Sequence, residues 1–111
     1  MTTDELIAVE MVTRGGRAEL TIEGELDMCN ADLVEHQVSS CADVAGVDTI
    51  VLDLRGVSFC DGAGYRALVR GWRAVADQVM RCEVRPSRAI LRMSDVLGDI
   101  AGRREHADAR A

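Results

Sequence analysis

Apolar and polar positions divide this chain into short strands and helices that mostly alternate. Leu6–Val12, LIAVEMV, reads as a strand, and Gly15-Gly16 turns it into a second, the pattern of a hairpin. In the second strand Ala18, Leu20 and Ile22 alternate with Glu19, Thr21 and Glu23, so one face is predicted buried and the other wet, with Gly24 as its end. Ala31, Val34, Val38, Cys41, Ala42 and Ala45 fall on one face at helical spacing, capped by Asp27 or Asn30 and ended by Gly46. Asp48–Leu54 is apolar on both faces except for Asp53, as a strand covered on both sides would be. Arg55-Gly56 reads as a turn, and Val57–Cys60 leads to a loop. The next helix, about Gly64 to Met80, buries Tyr65, Leu68, Val69, Trp72, Val75, Ala76 and Val79, and shows arginines at 66, 70 and 73 on its opposite side. A line of small residues, Ala67, Gly71 and Ala74, runs along its flank. Arg81–Val84 is a short strand. Pro86 suits the first turn of a last helix over about Ser87–Leu97, closed by Gly98. The pattern predicts one α/β domain over 1–101, a mixed sheet of four to five strands with three to four helices packed on it. Residues 102–111 form a polar tail with no face to bury.

Composition narrows the function more than the fold. At 111 residues, 48% of them hydrophobic, the chain can build a single core, and with one Trp, one Tyr and one Phe that core is aliphatic. The net charge of −6 disfavours nucleic acid, which is held mainly by cations on phosphate. No apolar run approaches the roughly 20 residues of a membrane helix, and MTTDELIAVE lacks a signal-peptide layout, so a cytoplasmic location and no membrane insertion are expected. There Cys29, Cys41, Cys60 and Cys82 are expected reduced. No Cys or His pair has ligand spacing, so neither a metal nor another cofactor is expected.

The chemistry concentrates in SFCDGAGYRAL, residues 58–68. Strand, tight turn and helix start make a working loop, yet nothing between Asp61 and Tyr65 can serve as a nucleophile. Gly62 and Gly64 could cradle an anion at a helix N-terminus. No lysine follows them as in a P-loop, however, and Asp61 carries the wrong charge. Their plainer role is a turn that needs positive φ and close backbone approach. Asp27 and Asp61 have no nucleophile or histidine near them in sequence to complete an acid–base site, so no catalytic residue is assigned. Cys60, at a helix start, and Cys29, in the preceding loop, are the two redox candidates; Cys41 and Cys82 read as core.

GELD at residues 24–27, then a helix, then IVLDLRGVSFCDGAG at 50–64 and CEVRPSRAILRMSDVLG at 82–98, together resemble the STAS domain of anti-sigma factor antagonists (anti-anti-sigma factors). The resemblance covers about residues 5–100. It implies a non-catalytic bacterial binding module for transcription regulation. Its expected partner is an anti-sigma factor or related serine kinase, which lets go of its sigma factor when bound. In partner-switching members that kinase phosphorylates a serine or threonine at the start of this helix, and binding is lost. The family's Asp-Ser-Ser/Thr-Gly is here Asp61-Gly62-Ala63-Gly64, so the acceptor position falls on Ala63, which has no hydroxyl. The resemblance places Asp27 and Asp61 at the partner surface, with Cys29 lying close to the Asp61 loop; the arginine stripe, which starts beside that loop, adds Arg66 and Arg70 as expected contacts to an acidic partner. The chain is thus expected to bind without a phosphorylation switch. Alternative expectations are a structural STAS subunit of a larger regulatory or membrane-associated complex, and a small-ligand or nucleotide sensor. Homodimerisation is left open. Members of the family often continue into a further strand and terminal helix, where this sequence has only its polar tail.

Overall fold

Gly15 and Gly16 take φ of 56° and 81°, the left-handed pair that a two-residue hairpin turn requires. They join β1 (Ile7–Arg14) to β2 (Arg17–Leu26), which pair antiparallel in the register Arg14–Arg17 to Ile7–Gly24. The computed structural model describes residues 7–100 of the chain. After β2 come α1 (Ala31–Ser39), a short 3-10 turn (Ser40–Asp43), β3 (Thr49–Cys60), α2 (Gly62–Ala76), β4 (Arg81–Arg85) and α3 (Arg88–Leu97). The sheet order is β1-β2-β3-β4, with β2, β3 and β4 parallel. Over the described residues the fold is therefore a single α/β domain with a four-stranded mixed sheet and three helices. The expected tail at 102–111 lies outside the described residues.

Two expected breaks turn out to be continuations. Gly24 does not end β2. It takes φ of 115° at a shift in the β2–β3 register, and the strand runs on to Leu26. Arg55-Gly56 does not turn either: β3 passes straight through to Cys60. A Cβ at Gly56 would come within 2.6 Å of the Glu23 side chain, so the missing side chain lets β3 pass close beside β2. The result is a longer strand pair that ends level, Leu26 beside Cys60.

One face of the sheet makes the core. Ala18, Leu20 and Ile22 of β2 and Ile50, Leu52 and Leu54 of β3 form one cluster with Val34 and Val38 of α1, with Leu68, Trp72 and Val75 of α2, and with Ile90 of α3. All three helices therefore pack on the same side. The small-residue flank of α2 faces α1: a Cβ at Gly71 would lie 2.9 Å from the Glu35 carbonyl oxygen, and Ala67 is fully buried. Ala74, the third residue of that line, is exposed. Trp72 is also enclosed, and its indole Nε1–H has no acceptor among the described residues. An orphan donor of this kind costs about 1–3 kcal/mol. Trp72→Phe is therefore expected to leave the melting temperature nearly unchanged, lost volume offsetting the removed donor, whereas Trp72→Ala costs about 3–5 kcal/mol.

The opposite face departs from the expectation of a doubly covered strand. Val51 and Asp53 of β3 are buried there, although among the described residues the three helices share the core face, and charged side chains gather around Asp53. Arg85 bridges Glu19 at 3.4 Å and Glu83 at 2.8 Å, and Arg17 reaches Glu19 at 3.5 Å. Arg55 grips Asp53 with two parallel contacts, Nε to Oδ1 at 3.0 Å and Nη2 to Oδ2 at 2.8 Å. That hydrogen bonding, backed by the Arg55 and Arg85 charges, holds the Asp53 carboxyl below its usual range despite burial. Because the folded pKa is depressed, the contribution is complete above the unfolded value of about 4 and is lost as pH falls through the folded one. The stability gap between wild type and Asp53→Asn, followed by thermal denaturation from neutral pH downward, is expected to hold steady to about pH 4 and then shrink.

At the other end of the sheet, Ser87 caps α3 by accepting the Ile90 amide at 3.2 Å. Pro86 thus sits one residue before the cap rather than in the first helical turn. Among the described residues no helix is long and apolar enough to cross a membrane.

Candidate functional site

The level ends of β2 and β3 put their two following loops side by side. The Asp61 amide donates to the Leu26 carbonyl at 3.1 Å, continuing the ladder one step past the strands. The Asp61 side chain then does two jobs. Its Oδ1 accepts the Gly64 amide at 2.8 Å, which caps α2. Its Oδ2 accepts the Met28 amide at 3.2 Å, which ties the β2–α1 loop to the tip of α2.

The β2–α1 loop is braced from within. Asp27 Oδ1 accepts the Cys29 amide at 2.9 Å. Asn30, 2% exposed, accepts the Asp27 amide at 3.0 Å through Oδ1 and donates through Nδ2 to the Glu25 carbonyl at 2.8 Å. Neither side chain caps α1, contrary to expectation. Asn30 occupies the cap position with its polar atoms committed to the loop, and Asp27 serves a local turn. Three short polar residues, Asp27, Asn30 and Asp61, thereby make two loops into one fixed surface.

The glycines of Asp61-Gly62-Ala63-Gly64 have different duties. Neither takes positive φ, so that part of the expectation is corrected. Gly64 is needed for close approach: a Cβ there would fall 2.8 Å from both the Leu26 carbonyl oxygen and Leu26 Cγ. At Gly62 a Cβ would meet only the tip of Arg66, at 3.2 Å, and then Leu97 at 3.9 Å, so a side chain can be accommodated there. Ala63, between them, is exposed on the first turn of α2. The Gly64 amide, a donor that an anion at this tip would use, is already taken by Asp61.

The cysteine candidates separate. Cys60 is 7% exposed, and burial, with the neighbouring Asp61 charge, pushes its thiol up to about 12. It stays protonated and unreactive at neutral pH, which removes it as a redox candidate. Burial likewise pushes Cys41 up to about 11. Cys29 is exposed in the braced loop beside Asp27. Arg66, Arg70 and Arg73 are all exposed on α2; Arg70 reaches across to Glu35 of α1 at 3.0 Å.

Two residues at this end escaped the sequence reading. Met28 is 73% exposed and Phe59 50% exposed, large apolar side chains next to the acidic cap. Met28 was detectable as an apolar residue in an otherwise polar loop, DMCN. Phe59 was hidden because β3 is buried without a break from Ile50 to Leu54 and then buries only Val57 and Cys60, three apart, which leaves Phe59 exposed between them.

Comparison with known proteins places this architecture. An anti-sigma factor antagonist from Mycobacterium paratuberculosis superposes with a TM-score of 0.70 at 19% identity, over 88% of this chain and 83% of its own. The Bacillus cell fate determinant SpoIIAA, in its phosphorylated form, gives 0.59 at 23% identity over 95% and 99% of the two chains. These likenesses are in fold. Mglu gives 0.61 at 27% identity, with 73% of this chain matching 20% of the Mglu chain. No curated protein sequence matches. The STAS domain model matches residues 8–93, the greater part of the sequence, and the chain therefore belongs to the STAS domain family.

Proposed function

We propose that the chain is an anti-sigma factor antagonist that binds an anti-sigma factor or related serine-kinase partner through the Asp27 and Asp61 loops and the tip of α2. Binding frees the sigma factor held by that partner, and no phosphorylation at the loop reverses it. The supporting observation is Ala63. It stands exposed at the helix tip, in a frame of hydrogen bonds that keeps the loop in one shape, and carries no hydroxyl to accept phosphate. Met28 and Phe59 supply the exposed apolar anchors that protein interfaces concentrate their affinity in. The residues in contact are proposed to be Asp27, Met28, Cys29, Phe59, Ala63 and Arg66. Asp61 acts by holding them in place, since both its carboxylate oxygens are occupied within the chain.

The test is capture from a native lysate on the immobilised chain, with mass spectrometry of what is retained and calorimetry on the reconstituted pair. A protein carrying an anti-sigma kinase domain, bound by wild type and lost on Met28→Asp, is the expected result. Retention of a multi-subunit particle without such a kinase would replace this reading with that of a structural subunit. A rise in melting temperature on adding a nucleotide to the chain alone would replace it with that of a ligand sensor.

A further inference from the structure

We propose that the open groove between α2 and the end of α3 docks an acidic amphipathic segment of a protein partner. The groove is about 280 Å³ and is lined by Tyr65, Arg66, Val69, Arg70, Arg73 and Leu97. The proposal rests on the antagonist reading only for the identity of the protein that carries the segment; the chemistry of the segment follows from the groove itself.

The lining has two parts. Arg66, Arg70 and Arg73 are spaced four and three residues apart on one stripe of α2 and form a cationic edge. Val69, half-buried, and Leu97, 39% exposed, form an apolar strip beside it, and Val96 on α3 is 76% exposed. Arg70 pairs with a carboxylate on the neighbouring helix, Glu35 of α1. Arg66 and Arg73 stand exposed on the same edge, in a chain with 19 acidic residues and 13 basic ones. Carboxylates are thus plentiful, yet none lines the groove beside its three arginines. Charge complementarity then calls for an acidic occupant.

Its form follows from the spacing. From Arg66 to Arg73 is about 10 Å along the helix axis, too far for one carboxylate and suited to acids one or two helical turns apart. The aliphatic strip fits an apolar ridge on the same segment. Nucleic acid fits poorly. Tyr65 is 1% exposed and offers no ring face for a base to stack on, and the net charge of −6 repels a polyanion as a whole. The groove also begins at the tip of α2, where the Arg66 guanidinium lies over Gly62, so it extends the surface made by the two loops.

The experiment is amide NMR on the isotope-labelled chain, titrated with three probes. These are a synthetic helical peptide with Glu on one face and Leu on the other, the same peptide with Lys for Glu, and oligothymidylate. The acidic peptide is expected to shift the amides of Arg66, Val69, Arg73 and Leu97. The doubly reversed variant Arg66→Glu/Arg73→Glu is expected to weaken it about tenfold or more, and Arg66→Gln/Arg73→Gln by less in the same direction. The amide spectra of both variants show whether they remain folded. No groove shifts, equal binding of the Lys peptide, preferential binding of oligothymidylate at the groove, or indifference to both double substitutions would overturn the proposal. Groove binding together with failure to capture an anti-sigma kinase would instead count against the antagonist reading alone.

Discussion

Gly64→Ala is expected to destabilise the protein by about 1–3 kcal/mol, the usual cost of forcing an extra methyl into a filled site. The added Cβ would stand 2.8 Å from a backbone carbonyl oxygen and from a branched side-chain carbon, both belonging to Leu26, which is fully buried. Neither can swing aside as the end of a flexible chain could. The relief must come from moving α2 away from the end of β2, and that stretches the bond from the Asp61 amide to the Leu26 carbonyl. For a domain of this size the melting temperature should fall by about 4–8 °C for each kcal/mol. Gly62→Ala is the internal control. Its Cβ meets only the Arg66 guanidinium, and it restricts the unfolded chain, so it is expected to be neutral or to stabilise by up to about 1 kcal/mol. Two glycines two residues apart should thus respond differently in the same thermal melt, with a loss at Gly64 and none at Gly62. Equal losses at both would mean that the packing of α2 against β2 is not what Gly64 serves.

Ala63→Glu should separate binding from folding. Position 63 lies in the first turn of α2, where a carboxylate is favoured by the partial positive charge of the helix end, worth about 0.3–1 kcal/mol. The melting temperature should therefore hold or rise slightly. Partner binding should collapse, with the dissociation constant rising about a hundredfold. A charge left unpaired in a closed interface, next to acids such as Asp61 and Asp27, costs several kcal/mol. Calorimetry against the captured partner together with a thermal melt of the same sample reads both effects. A glutamate that binds normally would remove the tip of α2 from the contact surface.

Local signals were legible where one residue decides one feature. Gly15-Gly16 could only be a turn of positive φ, and the spacing from Tyr65 to Val75 could only be a buried helix stripe. The level strand ends were not legible, because they depend on contacts between chain segments far apart. Gly24 and Gly56 look like stops in sequence. They are instead the places where β2 and β3 bulge and pass close together, and only the pairing across the sheet shows it. The same applies to Asp27 and Asn30. Each has the side chain of a helix cap, and which groups they bond is decided by the Glu25 carbonyl and the turn around Cys29. The small-residue flank of α2 signalled a close neighbour without saying which, and α1 turned out to be that neighbour. The cap made by Asp61 at the start of α2 was legible as a short polar residue before a helix. The tie between the two loops was not legible, since it comes from Asp61 reaching across to Met28.

The most direct measurement is phosphate incorporation by the captured kinase with labelled ATP, run on wild type and on Ala63→Ser side by side. Wild type is expected to stay unlabelled while bound, and Ala63→Ser is expected to take up phosphate at residue 63 and then release the partner. Label on wild type within residues 58–65, or an Ala63→Ser variant that binds the kinase and never becomes labelled, would contradict the claim that this surface is a partner-switching site with its acceptor removed.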